Sequence, residues 1–136
     1  MTAGYSGTPL PNKLGVKEGA RVAWLSAPDH FEELLGELPP GVGVSRRLGT
    51  GLDVVVQFAT SRAELRRRLP RLKAAIFPDG AAWVSWPKRS SGVATDITED
   101  TIREDALPLG LVDVKVAAVD ETWSGLKLVV RRELRG

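Results

Sequence analysis

Residues 88–96, Lys88-Arg89-Ser90-Ser91-Gly92-Val93-Ala94-Thr95-Asp96, place two cations beside hydroxyls, a glycine and a carboxylate. Cations followed by hydroxyls and a permissive backbone suit an anionic ligand. Trp123-Ser124, on what reads as a turn, adds an indole for stacking or packing and one more hydroxyl. The candidate binding site read from residue type is therefore Lys88, Arg89, Ser90, Ser91, Thr95, Asp96, Trp123 and Ser124. The competing reading is structural: solvated cations, with hydroxyls that cap turns.

Other chemistry-bearing residues have simpler explanations. Arg62, Arg66, Arg67, Arg68, Arg71 and Lys73 form a charge run that could meet phosphates. The leucines interleaved with it define a buried helix stripe, so a solvated outer face is the expectation. His30 has the titration range of a general acid or base, but its place after Asp29 fits a helix start. The acids Asp96, Glu99, Asp100, Glu104 and Asp105 suggest a hard-cation site. Their position at a helix start, where the dipole favours negative charge, explains them without metal. With no cysteine and one histidine, thiol nucleophiles, disulfides and multi-histidine metal sites are excluded. No catalytic residue, metal or cofactor is expected.

The elements that must position these residues centre on Leu52–Arg89. Leu52 to Ala59 is a nearly unbroken apolar run rich in valine, as in a strand covered on both faces. Leu65, Leu69, Leu72 and Ile76 then recur at helical spacing, with Pro70 expected to break or kink that helix. Pro78-Asp79-Gly80 supplies turn chemistry, Gly80 being free to take positive φ, and Ala81 to Trp86 is a second buried strand. Upstream, Met1 to Pro11 reads as an extended or disordered arm and Asn12 to Val16 as a short helical turn. Ala20 to Ala27 is the first strand. A helix capped by Asp29 with Glu32 follows, and Val42 to Leu48 reads as an edge strand. Downstream, Thr98 caps a helix to about Leu107, and Leu111–Val119 and Leu126–Glu133 form a hairpin. The fold class is α/β: three layers around a mostly parallel, doubly wound sheet of about six strands, closed by a C-terminal antiparallel hairpin. Ligands of such sheets sit outside the carboxyl ends of the strands. That rim collects the loop from Lys88 to Asp96 and the Trp123 turn.

The 136 residues suit a single domain, with 19 basic against 17 acidic residues leaving a net charge of only +2. So small an excess exerts no general pull on nucleic acid. No apolar run approaches a membrane span, and the N-terminus lacks a basic-then-apolar signal pattern, so a cytoplasmic protein is expected. Its partner would be another protein or a small anionic ligand, with neither nucleic acid nor membrane.

Two resemblances add to this. The stretch LGVKEGARVAWLSAP from Leu14 resembles the lead-in and first strand of class I, S-adenosylmethionine-dependent methyltransferases. LDVVVQFATSRAELRRRLPRLKAAIFPDGAAWVSWP from Leu52 resembles their fourth strand, following helix and fifth strand. The resemblance implies a Rossmann-type fold with a nucleoside cofactor on a glycine-rich loop and an acidic residue at the end of the second strand. Here those places hold Ser26-Ala27-Pro28-Asp29 and Ser45-Arg46-Arg47. Pro28 has no amide hydrogen to offer, and no acid follows Val44. The stretches YSGTPL (Tyr5–Leu10), SGVATD (Ser91–Asp96) and VDETWSGLK (Val119–Lys127) resemble a small bacterial family of domains of unknown function. The sequence thus points to a non-catalytic binding or interaction module on a degenerate methyltransferase-like scaffold. The alternative is an S-adenosylmethionine- or nucleotide-binding enzyme with an altered cofactor loop.

Overall fold

Val54–Phe58 is buried along its whole length and forms the third strand, β3, in the interior of the sheet. The computed structural model describes residues 8–136. The other strands are β1 (Arg21–Leu25), β2 (Gly43–Ser45), β4 (Ala81–Pro87), β5 (Leu111–Ala118) and β6 (Trp123–Val130). They join in one six-stranded sheet of order β2-β1-β3-β4-β6-β5. The pairs β1–β2, β1–β3 and β3–β4 are parallel, whereas β6 runs antiparallel to both β4 and β5. This is the mostly parallel α/β sheet with a closing hairpin that the element pattern implies.

Helices cover both faces. Helices α3 (Arg62–Ile76) and α4 (Glu99–Ala106) lie on one face, where Leu65, Leu69, Leu72, Ile102 and Ala106 pack on Ala23, Val55, Ala82 and Val84. The short helices α1 (Leu10–Leu14) and α2 (Phe31–Leu35) lie on the other, around Trp24, Val56, Phe58 and Trp83. Alternation along each strand divides the two cores: Val55 and Gln57 face α3, and Val54, Val56 and Phe58 face α1 and α2. Trp83 is fully buried, and its indole N–H donates to the Leu14 carbonyl at 3.0 Å, fastening the end of α1 to the sheet.

Several local expectations are corrected. Leu10 and Pro11, expected in the arm, are helical and buried; the arm's first seven residues lie outside the described residues. Pro70 does not break α3, which runs unbroken over 15 residues. Its ring sits on the exposed side, and buried leucines on the opposite stripe hold the helix together. The residue preceding α2 is His30, not Asp29, and it makes no side-chain cap; Glu32 pairs instead with Arg46. Gly80 is needed for space, not for positive φ. A Cβ there would lie 2.9 Å from the Ile76 carbonyl and 3.1 Å from that of Asp53, and closer still to that of Leu52. Trp123 opens β6 and is paired with Pro87, so the hairpin turn comprises only residues 119–122. Thr98 does cap α4, in a reciprocal box with Thr101.

Candidate functional site

The sequence-picked residues lie at the carboxyl rim, and most are engaged with one another's loops. The Lys88 amide donates to the Thr122 carbonyl at 2.7 Å, and its ammonium donates to the Asp120 carbonyl at 2.8 Å. The Ser91 hydroxyl donates to the Lys88 carbonyl at 2.6 Å, closing the single 3₁₀ turn Arg89–Ser91. The Thr95 hydroxyl donates to the Thr60 carbonyl at 2.6 Å, and Asp96 accepts the Arg62 amide at 2.8 Å. Lys88 and Ser91 thus hold the β4 loop in its turn and to the hairpin, while Thr95 and Asp96 tie it to the start of α3. Arg89 and Ser90 stay exposed, and Ser124 pairs with Trp86 inside the sheet. The Trp123 ring packs edge-on against Phe58 at 5.1 Å, extending a chain of rings through Phe31 to Trp24.

Asp120 is the hub that residue typing missed. One carboxylate oxygen accepts the Thr122 and Trp123 amides, at 2.8 and 2.7 Å, and so builds the hairpin turn. The other lies 2.9 Å from His30 Nε2. Its side chain is only 13% exposed against 52% for His30, so a nearly buried carboxylate orients an open imidazole. Such a partner fixes the Nε2–H tautomer and leaves Nδ1 as a proton acceptor at the rim. The two residues are 90 positions apart, and only the strand order brings them together.

The acidic cluster is consumed by arginines. Arg62 holds Asp105 at 2.9 Å and Glu104 at 3.0 Å, and Arg103 holds Asp113 at 2.8 Å as well as Glu99. The Arg103 hydrogen bond holds the Asp113 carboxyl below its ordinary range. Among the described residues, no group of three or more histidines or acids is arranged to hold a metal.

The arginine run itself is divided. Arg62 and Arg66 face Asp105 of α4, the latter at 3.6 Å. Glu64, Arg67, Arg68 and Arg71 lie on the opposite flank of α3 and line a groove of about 510 Å³ with Ser26, Gln57, Phe58 and Ala59. Two features of that groove are unusual. Ser26, directly after β1, has φ of 56°, a left-handed conformation costly for a residue with a Cβ. Gln57 is 3% exposed, and its Nε2 donates to the Phe58 carbonyl at 2.9 Å, while its Oε1 meets no donor among the described residues. A buried carbonyl oxygen without a donor is a standing cost.

In sequence, the chain matches no family model and no curated protein. In structure, it is similar to an S-adenosylmethionine-dependent methyltransferase from Aquifex aeolicus, at a TM-score of 0.63 and 15% identity over 89% of this chain and 88% of that one. A putative type 11 methyltransferase from Sulfolobus solfataricus gives 0.63 and 15%, over 90% and 89% of the two chains. A chain from the complex of a Haloferax volcanii methyltransferase activator and its putative methyltransferase gives 0.63 and 14%, over 90% and 88%. The architecture is therefore the methyltransferase-like Rossmann fold. No described helix is long and apolar enough to cross a membrane.

A nucleoside cofactor of the kind that fold carries fits this chain in part. After β1 the backbone makes, with Ser26, the left-handed turn that a glycine would otherwise supply, and the groove opens beside it. After β2 the fit fails. Arg46 and Arg47 are both exposed where a carboxylate would meet ribose hydroxyls, and Arg46 pairs with Glu32.

Proposed function

We propose that the carboxyl rim of this methyltransferase-like fold binds a nucleoside-bearing ligand, S-adenosylmethionine or a nucleotide, through an altered loop after β1, and acts there as an enzyme. The observation that carries the reading is Ser26. A strained, exposed residue at the carboxyl end of β1, beside the groove, is what a retained ligand loop would preserve. The similarity to methyltransferase structures supports this better than it supports a purely non-catalytic module.

In this reading Ser26 and Ala59 form the mouth, and His30, held at Nε2 by Asp120 on the same carboxyl rim, is the candidate proton acceptor through Nδ1. Lys88, Ser91, Thr95 and Asp96 hold the rim loops in register, Trp123 and Ser124 anchor the hairpin beside them, and Arg89 and Ser90 remain free to meet a second reactant. Where S-adenosylmethionine is the ligand, it supplies an electrophilic methyl group.

The test is a melting screen of the full chain with S-adenosylmethionine, S-adenosylhomocysteine, AMP and ATP. A ligand at 100 times its Kd should stabilise by about 2.7 kcal/mol. Ser26→Gly should keep binding, since glycine takes the same φ without strain, and Ala59→Trp should abolish it by filling the mouth. No shift with any of the four at millimolar concentration refutes the reading.

A further inference from the structure

Arg67, Arg68 and Arg71 form one cationic row along the groove, and none has an ion pair among the described residues. That separates them from Arg62 and Arg66 on the same helix, which pair with Asp105 and Glu104. Glu64 is the one acid lining the groove among the described residues, so the row carries an excess of two positive charges there. At the floor, on the face of β3 that looks toward α3, Gln57 offers an unpartnered acceptor inside the protein. A cationic flank and a lone buried acceptor ask for different ends of one molecule: an anionic group for the arginines and an N–H or O–H donor for Gln57 Oε1.

We infer that the α3 groove recognises a phosphorylated small molecule that carries a hydrogen-bond donor, a nucleotide or a sugar phosphate. This assignment rests on the reading of the rim as a ligand site and narrows it. S-adenosylmethionine, whose sulfonium and ammonium outweigh one carboxylate, is a net cation that the excess positive charge of this groove disfavours. A phosphate placed between Arg67 and Arg71, one helical turn apart, would receive charge-assisted bonds from both. A volume of about 510 Å³ lies within the ordinary range of small-molecule sites.

The experiment is calorimetric titration of the full chain with AMP, ribose 5-phosphate, adenosine and S-adenosylmethionine, at two salt concentrations. It compares wild type, the double variant Arg67→Gln/Arg71→Gln, and Gln57→Leu. Both exposed arginines can be replaced without touching the core, and leucine removes the orphan oxygen while remaining suited to a buried site. AMP or ribose 5-phosphate should bind at least about tenfold tighter than adenosine, the worth of one good charge-assisted contact. The double variant should erase that preference and its salt dependence. Gln57→Leu should weaken both phosphorylated probes while keeping their salt dependence. AMP binding with no ribose 5-phosphate binding would assign the site to nucleotides, and the converse to sugar phosphates. Phosphorylated probes that bind no better than adenosine, or a phosphate preference unchanged in the double variant, overturn the inference. S-adenosylmethionine binding in that case leaves the rim reading standing, whereas no binding by any probe removes both.

Discussion

Replacing Asp120 tests how the rim is held together and how His30 is presented. In Asp120→Ala, the Thr122 and Trp123 amides lose an acceptor at 2.8 and 2.7 Å, and His30 loses its partner at 2.9 Å. Hydrogen bonds to a charged group are worth about 1.5–3 kcal/mol each. The turn is partly exposed, so water recovers some of this for the two amides, and the exposed His30 contact adds little. The expected loss is about 2–4 kcal/mol, or on the order of 10 °C in melting temperature for a chain of this size. Asp120→Asn keeps an acceptor for both amides and should cost under about 1 kcal/mol. The two variants should nevertheless agree in one respect, since neither offers His30 a carboxylate. The chain has a single histidine, so its imidazole nitrogens can be followed by NMR without assignment ambiguity. Wild type should show the Nε2–H tautomer, the alanine variant a mixture, and the asparagine variant, whose amide N–H then faces Nε2, a shift toward Nδ1–H. Equal stability of the alanine and asparagine variants, or an unchanged tautomer in both, would show that Asp120 is not the hub described.

Two further outcomes follow from the packing. Gly80→Ala forces a Cβ against the carbonyls of Ile76, Asp53 and Leu52, all backbone atoms that cannot swing away. Denaturant unfolding should show a loss of about 2–4 kcal/mol, and a change within error would mean that the α3–β4 turn is looser than described. The Arg103–Asp113 pair predicts a pH effect of definite sign. Asp113 is held below its ordinary value of 3.8 chiefly by the Arg103 hydrogen bond. Its contribution is therefore complete above the unfolded value and lost as pH falls through the folded one. Arg103→Gln should flatten the fall in stability below pH about 4, and an acid profile identical to wild type would exclude the pair as a source of it.

The order and type of the strands and helices were legible because each is written as local periodicity. The valines of β3, the leucine stripe of α3 and the Thr98 cap are all short-range signals. What was not legible depends on distance in the sequence. Pro70 reads locally as a breaker, yet the packing of Leu65, Leu69 and Leu72 on the sheet outweighs one missing amide. Gly80 reads as a turn glycine, yet its requirement is the closeness of the β3 strand start, 27 residues earlier at Asp53. The partnership of His30 and Asp120 could be suspected only from the strand order, which carries both to one rim. The loop from Lys88 to Asp96 follows β4 at the carboxyl rim, as strand direction implies, while the use of its side chains to bind neighbouring loops is a tertiary fact. The arginine run was read as one solvated face, and the division between Arg62 and Arg66 on one flank and Arg67, Arg68 and Arg71 on the other needs the position of α4. A helix-wheel projection of Arg62 to Arg71 would have shown two flanks, though not which one had a partner.

The groove itself has a cause in the connectivity. Strands β2 and β3 are parallel to β1, which lies between them, and a connection of that kind ordinarily carries a helix of its own. Here the crossing is made by residues 46–53 alone, a loop that sends Leu48 and Leu52 into the core beneath α3. Two leucines cover Ala23 and Leu25 but leave the outer flank of α3 without a helix beside it, while α4 occupies the other flank. A helix flank with no neighbour needs polar residues, and any hydrophilic set would have kept it soluble. Glutamates and lysines mixed along it would have served as well and would have balanced their charge. Three arginines and a single glutamate were placed there instead, above a glutamine whose oxygen is buried without a donor. Solvation accounts for the polarity of that flank and leaves its sign and its buried acceptor unaccounted for, and a bound anion with a donor group explains both.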